Sequence, residues 1–147
     1  MHWHIFAIGK PKLGFARDGV AEYAKRLRPL AAVTIEYLKA AGGEEESAVL
    51  LRRSEGMVRV VLDERGEQLT SRELADRVGG WERERVKAVA LLLGGAEGHS
   101  EELRAGADWV WALGRLTLQH ELALVVVMEQ VYRAYAIKGG LPYHREG

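Results

Sequence analysis

The stretch VKAVALLLGG, residues 86–95, is almost wholly apolar as far as Leu93 and ends in two glycines. A short apolar run bounded by glycine is typical of a parallel strand buried on both faces, because helices cover both sides of such a sheet. In open parallel sheets, ligands bind at the carboxyl ends of the strands, where glycine lets them approach the backbone. We therefore expect a central strand that ends at a ligand-binding edge. The alternative is a tight turn that only leads into a helix capped by Ser100.

Strand-type and helix-type patterns alternate along the rest of the chain. Further strands are predicted at residues 3–8, 33–37, 57–62 and 109–113. The third of these is expected to close on a turn at residues 63–66, and the T-x-x-E capping pattern of Thr70 predicts that a helix begins next. A long apolar helix is predicted over residues 122–137, ending at two glycines. The pattern indicates one α/β domain over residues 1–147, with a mostly parallel sheet flanked by helices.

Composition narrows the possible functions. The chain carries 21 Lys and Arg against 21 Asp and Glu, so its formal net charge is zero, which argues against a strongly basic nucleic-acid binder. Residues 1–40 nevertheless hold seven basic against three acidic residues, a local surplus of four. Cysteine is absent, and no two histidines have a familiar metal-ligand spacing, so a metal site is not expected. Without a signal-peptide pattern or a membrane-spanning apolar run, a soluble cytoplasmic protein is expected.

Two loops carry candidate binding features. The segment LGRLTLQHEL, residues 113–122, is too apolar for a solvated loop. It is suited either to a flat pocket with backbone donors for a heterocycle or to an extended part of the core. The glycine-rich turn GKPKLGF, residues 9–15, lacks the lysine and hydroxyl residue of a phosphate-binding loop. It is expected to be a strand-to-helix turn, with Lys10 and Lys12 as surface charges available to a polyanion.

The tail LPYHREG, residues 141–147, groups Tyr143, His144 and Arg145. Chain ends usually fray and have no need of side chains that stack, titrate and bind phosphate. The three residues are either an accident of composition or part of a site.

Taken together, these motifs resemble the ribosomal large-subunit pseudouridine N3-methyltransferases of the SPOUT superfamily. The motifs that carry the resemblance lie in order along the whole chain: VLD at 61–63, LGGAEG at 93–98, LTL at 116–118 with His120, YRA at 132–134 and PYHRE at 142–146. The chain departs from the family where Ala96, Gln119 and Glu121 stand in place of proline. These departures affect loop geometry and remove no obvious functional group.

The resemblance implies S-adenosylmethionine as methyl donor, a C-terminal trefoil knot whose loops form the cofactor pocket, and a homodimer in which both subunits contribute to each site. Carried over by position, the implied cofactor-binding residues are Leu62, Gly94, Leu113, Gly114, Arg115, Leu116, Thr117 and Leu118. They fall on the same strand-end loops that the residue pattern singles out.

The implied substrate is N3 of a pseudouridine in 23S ribosomal RNA, within the ribosome or its large subunit, with no membrane and no metal involved. His144 is the candidate base or orienting group, because it is the titrating side chain of the tail. Arg145 would hold a phosphate or a developing oxyanion, and Tyr143 would stack on a splayed base. The expected RNA-binding residues are Arg133, Lys138, Lys10 and Lys12.

Two rival functions stay open on the sequence. One is a SPOUT methyltransferase that acts on another RNA, such as transfer RNA. The other is a non-catalytic ribosome-associated binding module that has kept the fold.

Overall fold

A computed structural model describes residues 1–143 of the chain. Five strands and five helices alternate over those residues: β1 His2–Ile8, α1 Gly14–Leu27, β2 Ala32–Leu38, α2 Gly43–Arg53, β3 Val58–Gln68, α3 Ser71–Arg83, β4 Ala88–Leu93, α4 Glu101–Ala105, β5 Trp109–Ala112 and α5 His120–Lys138. This alternation confirms the predicted α/β class. Within residues 1–143, no helix is long and apolar enough to cross a membrane.

The strands form one parallel sheet in the order β2-β1-β4-β3-β5. Strand β4 lies at its centre, and Val89 to Leu93 are all buried, as the apolar run predicts. Because the strands are parallel, their carboxyl ends meet at one edge of the sheet. Residues 62–65 of β3 and the segments after β4 and β5 therefore lie side by side, although they are far apart in sequence.

Helices cover both faces of the sheet. Helices α1, α3 and α5 pack on one face over a core that includes Trp3, Ile5 and Leu91. Helices α2 and α4 pack on the other face over a second core that includes Phe6 and Leu92. Alternate residues of β1 and β4 thus point to opposite cores, which is the period-two pattern expected of strands with two buried faces.

The turn predicted at residues 63–66 is wrong, because β3 continues through it to Gln68. The strand pairs with β5 at Leu62 and again at Glu67, with an irregularity in between. Gly66 permits this path, since an added Cβ would lie 2.5 Å from the carbonyl carbon and oxygen of Val110. The extension holds the residues after Leu62 against β5 instead of leaving them in a free loop.

Helix boundaries follow their local capping signals. Thr70 and Glu73 form the predicted capping box at the start of α3. Helix α5 begins at His120, two residues before the predicted start, and Gly139 is its C-cap. The trefoil knot implied by the resemblance stays a prediction.

Candidate active site

A cavity of about 560 Å³ opens at the carboxyl edge of the sheet, between residues 62–65 of β3 and the segments that follow β4 and β5. Its lining residues are Leu62, Asp63, Glu64, Arg65, Leu93, Gly94, Gly95, Ala96, Glu97, Gly98, His99, Trp111, Leu113, Gly114, Leu116, Thr117, Leu118, Gln119, His120 and Ala123. This is the edge at which open parallel sheets bind their ligands. The volume lies within the roughly 300–1,000 Å³ range of small-molecule sites.

The glycine turn after β4 is packed against a histidine. An added Cβ on Gly94 would lie 3.1 Å from Cε1 and 3.2 Å from Nδ1 of His99, so only glycine lets the turn pass without displacing the ring. The Nε2–H of His99 donates to the carbonyl oxygen of Leu92 at 3.1 Å. Burial lowers the pKa of His99, which keeps the ring neutral at pH 7. Its Nδ1 is buried and has no hydrogen-bond partner within residues 1–143.

Charged groups form the cavity wall beside this turn. The side chain of Asp63 is only 6% exposed, and its Oδ1 accepts a hydrogen bond from the backbone N–H of Arg65 at 2.9 Å. The guanidinium groups of Arg65 and Arg104 lie 3.4 Å and 3.6 Å from the Asp63 carboxylate. Arg104 also donates to the carbonyl oxygen of His99 at 2.7 Å. The negative charge of Asp63 is therefore balanced from two sides.

The second half of the glycine turn is tied to helix α2. The carboxylate of Glu97 accepts a hydrogen bond from the backbone N–H of Gly43 at 2.9 Å, at the start of that helix. The backbone N–H of Ser100 donates to Ser47 Oγ at 2.9 Å, while the hydroxyl of Ser100 caps α4 as predicted. The side chain of Glu97 thus holds the loop against the start of α2.

The apolar segment after β5 forms the opposite wall. Leu113, Leu116 and Leu118 line the cavity, and Leu116 is 80% exposed, so it lies at the mouth and is not packed in the core. The hydroxyl of Thr117 donates to the carboxylate of Glu64 at 2.7 Å, which joins this wall to the end of β3. Of the two interpretations left open for residues 113–122, the geometry favours the pocket over the core segment.

Seven of the eight predicted cofactor-binding residues line the cavity: Leu62, Gly94, Leu113, Gly114, Leu116, Thr117 and Leu118. Arg115, the eighth, is not among the lining residues. The assignment of these residues to a cofactor stays a prediction, but the fold brings all seven to one place.

At the start of α5, Gln119 and Glu121 stand where the family that the sequence resembles has proline, and both side chains make hydrogen bonds. Gln119 is the N-cap, and its Oε1 accepts hydrogen bonds from the backbone N–H groups of Glu121 and Leu122. Glu121 is buried, and its Oε1 accepts from the backbone N–H groups of Lys12 and Leu13 at 2.8 and 2.9 Å. The two departures thus supply hydrogen bonds that fix this wall of the cavity to the turn after β1.

The tail turns back along α5 as far as the structure describes it. The hydroxyl of Tyr143 donates to the carboxylate of Glu129 at 2.7 Å and lies 3.1 Å from the hydroxyl of Tyr23. Its ring contacts Tyr132 edge to face at a centroid distance of 4.7 Å. Burial, followed by the bonds to Tyr23 and Glu129, raises the pKa of Tyr143. Tyr143 is therefore held on the helix surface and is not among the residues that line the cavity.

The predicted RNA-binding residues are spread over the molecule. Arg133 pairs with Glu129 at 2.9 Å and lies over the Tyr143 ring, and Lys138 pairs with Glu82. Lys10 and Lys12 are exposed in the turn before α1, and neither has an ion pair within residues 1–143. The other two predicted site residues, His144 and Arg145, lie outside the described residues.

Sequence reasoning missed several residues of the cavity, chiefly Asp63, Glu64, Arg65, His99 and Trp111. The sequence predicts a simple turn for the first three, and it predicts that His99 belongs to the turn that leads into α4. The T-x-x-E pattern and the paired glycines are local signals, because each lies next to the feature that it predicts. The alignment of β3, β4 and β5 at the cavity depends on long-range pairing.

Within residues 1–143, no three His, Asp or Glu side chains are grouped as metal ligands.

Comparison with known proteins places the fold and its sequence in one family. A family model described as "Predicted SPOUT methyltransferase" matches residues 1–144. A Thermus thermophilus protein named ribosomal RNA large subunit methyltransferase H is 50% identical over 145 residues, which cover 99% of each chain. A protein of the same name from Deinococcus radiodurans is 37% identical over 145 residues, again 99% of each chain.

Solved structures agree with the fold. A methylase family protein from Neisseria gonorrhoeae has a TM-score of 0.57 at 14% identity, covering 99% of this chain and 95% of that one. A methyltransferase from Legionella pneumophila, solved in complex with the bound cofactor SAM, has a TM-score of 0.55 at 14% identity, covering 91% and 66%. The full-length family match and the 50% identity to its relative show that this chain belongs to the SPOUT methyltransferase family, in the group named ribosomal RNA large subunit methyltransferase H.

Proposed function

We propose that this protein is an S-adenosylmethionine-dependent methyltransferase that methylates N3 of a pseudouridine in 23S ribosomal RNA. The observation that carries the proposal is the cavity at the carboxyl edge, in which the glycine turn after β4 faces the apolar segment after β5. The full-length relatives named as large-subunit methyltransferases support the substrate class.

The lining residues suit S-adenosylmethionine. Gly94 lines the cavity, and because its Cβ position is packed against His99, the glycine lets the turn stay beside that ring while its backbone borders the cavity. Leu113, Leu116 and Leu118 present an apolar surface for an adenine ring, and the charged wall at Asp63 offers acceptors to hydroxyl or amino groups. An apolar pocket with a few polar groups is the usual form of a cofactor site.

Methyl transfer from S-adenosylmethionine requires the enzyme to align the methyl donor with its acceptor more than to activate either of them. S-adenosylmethionine supplies an electrophilic methyl group on a positively charged sulfur. The apolar side chains of Leu113, Leu116 and Leu118 would hold the donor at the cavity wall. Holding two reactants in such a geometry contributes about 7–11 kcal/mol to lowering a barrier.

The tail provides the RNA end of the site in this proposal. In the transfer, N3 of pseudouridine would take the methyl group as the bond between that group and the donor sulfur breaks, and the N3 proton would leave to a base. His144 is the proposed base or orienting group, because an imidazole titrates near neutral pH. Arg145 holds a phosphate or the developing oxyanion. The proposed RNA contacts are Arg133 and Lys138 on α5, and Lys10 and Lys12 in the turn before α1. Tyr143 anchors the tail and presents a ring face to the base.

A homodimer brings the tail to a cavity. Glu129, which holds Tyr143, lies nine residues after His120, which corresponds to roughly 13 Å along the axis of α5. The tail of one subunit is thus anchored away from its own cavity. Leu13, Phe15 and Leu122 form an exposed apolar surface around the starts of α1 and α5. We propose that this surface meets a second copy, whose tail completes the site.

The proposed partner is the ribosome or its large subunit, which places the protein in the cytoplasm. The zero net charge suits recognition of a shaped assembly better than tight binding to free RNA. A second candidate substrate is another RNA, such as transfer RNA. No residue among 1–143 favours that substrate.

Two experiments test the proposal. Calorimetry should detect binding of S-adenosylmethionine to the full chain at micromolar to millimolar concentrations. The absence of binding heat at millimolar cofactor would refute the proposal that the protein is a methyltransferase. Mass spectrometry of ribosomal RNA from a strain lacking the gene should show that one methyl group is missing from a large-subunit pseudouridine. An unchanged modification pattern would refute the substrate.

A further inference from the structure

We propose that Glu64 selects the positively charged methyl donor over the neutral product at the mouth of the cavity. This inference rests on the proposed function and assigns a specificity-determining role to a residue that the resemblance does not mark.

Glu64 occupies an unusual position in the lining. It lies on β3 just past Leu62, is exposed, and borders the cavity. The bond from the Thr117 hydroxyl, at 2.7 Å, is the one hydrogen bond that the Glu64 side chain makes within residues 1–143. No cationic side chain of that part of the chain pairs with it. A hydroxyl orients the carboxylate without neutralising it. The charge of Glu64 is therefore available to a ligand.

The other carboxylates of the lining are already engaged. Asp63 faces Arg65 and Arg104 at 3.4 and 3.6 Å, so its charge is balanced within the wall. Glu97 accepts the backbone N–H of Gly43, the first residue of α2, where the positive end of the helix dipole faces it. His99 is neutral, because burial lowers its pKa. Within residues 1–143, Glu64 is thus the one carboxylate of the lining that pairs neither with a cationic side chain nor with the start of a helix.

The proposed reaction changes the charge of the ligand by one unit. At neutral pH, S-adenosylmethionine carries a sulfonium, an ammonium and a carboxylate, for a net charge of one positive. When its methyl group is bonded to N3 and the N3 proton has left, the product S-adenosylhomocysteine is neutral overall. A carboxylate at the mouth attracts the donor and has no net attraction for the product. It therefore favours exchange of product for a new donor.

The expected size of the effect follows from Coulomb's law. For two unit charges ~6 Å apart in a partly hydrated site, the interaction corresponds to roughly a three- to tenfold difference in affinity. Because Glu64 is exposed, salt should weaken the effect, since the Debye length shortens from about 10 Å at 0.1 M to about 3 Å at 1 M.

The test measures binding of three ligands to the full chain by calorimetry. Glu64→Gln removes the charge and keeps an oxygen that accepts from Thr117. We expect it to weaken S-adenosylmethionine roughly three- to tenfold, and to weaken sinefungin equally, because that analogue carries an ammonium in place of the methylsulfonium. Binding of S-adenosylhomocysteine should change less than twofold. Glu67→Gln is the matched control, because Glu67 is exposed on the same strand and pairs with Arg77 outside the cavity.

The outcomes separate this inference from the proposed function. The decisive quantity is the Kd of S-adenosylhomocysteine divided by the Kd of S-adenosylmethionine. If Glu64→Gln leaves this ratio unchanged, or weakens binding of all three ligands alike, the charge-selection role is wrong while the proposed enzyme activity stands. If the unaltered chain binds none of the three, both proposals fail. The charge-selection role is supported if the ratio falls in Glu64→Gln but not in Glu67→Gln, and if it also falls in the unaltered chain as the salt concentration rises.

Discussion

Replacing Tyr143 with phenylalanine tests whether the tail is anchored as the structure indicates. The substitution removes one hydroxyl, which donates to Glu129 at 2.7 Å and lies 3.1 Å from Tyr23. The ring contacts with Tyr132 and Arg133 are kept. The change is therefore confined to the polar half of the anchor.

The magnitude follows from the charge and burial of the acceptor. A hydrogen bond to a charged group is worth about 1.5–3 kcal/mol when buried, and the half-buried position of Tyr143 favours the lower end. A loss of ~1.4 kcal/mol corresponds to a tenfold shift in an equilibrium. Tyr143→Phe should therefore make the undocked tail about tenfold more populated.

The dependence on pH has a definite sign. Burial and the two hydrogen bonds raise the pKa of Tyr143, so the anchor is present below the ordinary phenol value of about 10 and is lost as pH rises through the higher folded-state value. The difference between the unaltered chain and Tyr143→Phe should stay constant between about pH 7 and 9.

Hydrogen exchange of one backbone amide provides a direct assay. The N–H of Leu141 donates to the carbonyl oxygen of Ala136 at 2.9 Å and should exchange about tenfold faster in Tyr143→Phe. Methyl transfer should fall while affinity for S-adenosylmethionine is kept. Tyr37→Phe is the matched control, because the Tyr37 hydroxyl is half-buried and has no hydrogen bond within residues 1–143. Equal exchange rates and equal activity in both variants would refute the anchor.

Three further substitutions test the frame of the cavity. Glu121→Ala leaves two backbone N–H groups without their acceptor and should cost about 3 kcal/mol of unfolding free energy, lowering Tm by roughly 6–12 °C in calorimetry; an unchanged Tm would contradict this. Gly66→Ala places a Cβ 2.5 Å from Val110 and should cost about 1–3 kcal/mol in denaturant unfolding while weakening cofactor binding. Normal stability and binding would show that β3 takes another path. Thr70→Ala removes the capping box and should cost about 1 kcal/mol in the same assay without changing cofactor affinity, which a weakened affinity would disprove.

Features governed by neighbouring residues were predictable from the sequence. The apolar run before Gly94 predicted a central, doubly buried strand, and the Thr70 pattern predicted where α3 begins. The segment 113–122 is too apolar for a solvated loop, and residues 113, 114 and 116–120 of it line the cavity. In each case the signal lies within a few residues of the feature that it predicts.

Features that depend on distant pairing were not predictable. Asp63 and Glu64 were assigned to a turn, because nothing near them indicates that β3 continues along β5. That pairing requires Gly66, whose missing Cβ matters only beside Val110. Glu121 similarly stood as a departure from the family, although it holds a turn 108 residues earlier in the chain.

The most direct test of the account is enzymatic methylation of its proposed substrate. Large ribosomal subunits from a strain lacking the gene would be incubated with the full chain and methyl-labelled S-adenosylmethionine, and the ribosomal RNA would be digested and analysed by mass spectrometry. The account predicts label in a single nucleoside, N3-methylpseudouridine, derived from 23S RNA. Label in a different nucleoside, or none in the presence of bound cofactor, would contradict it.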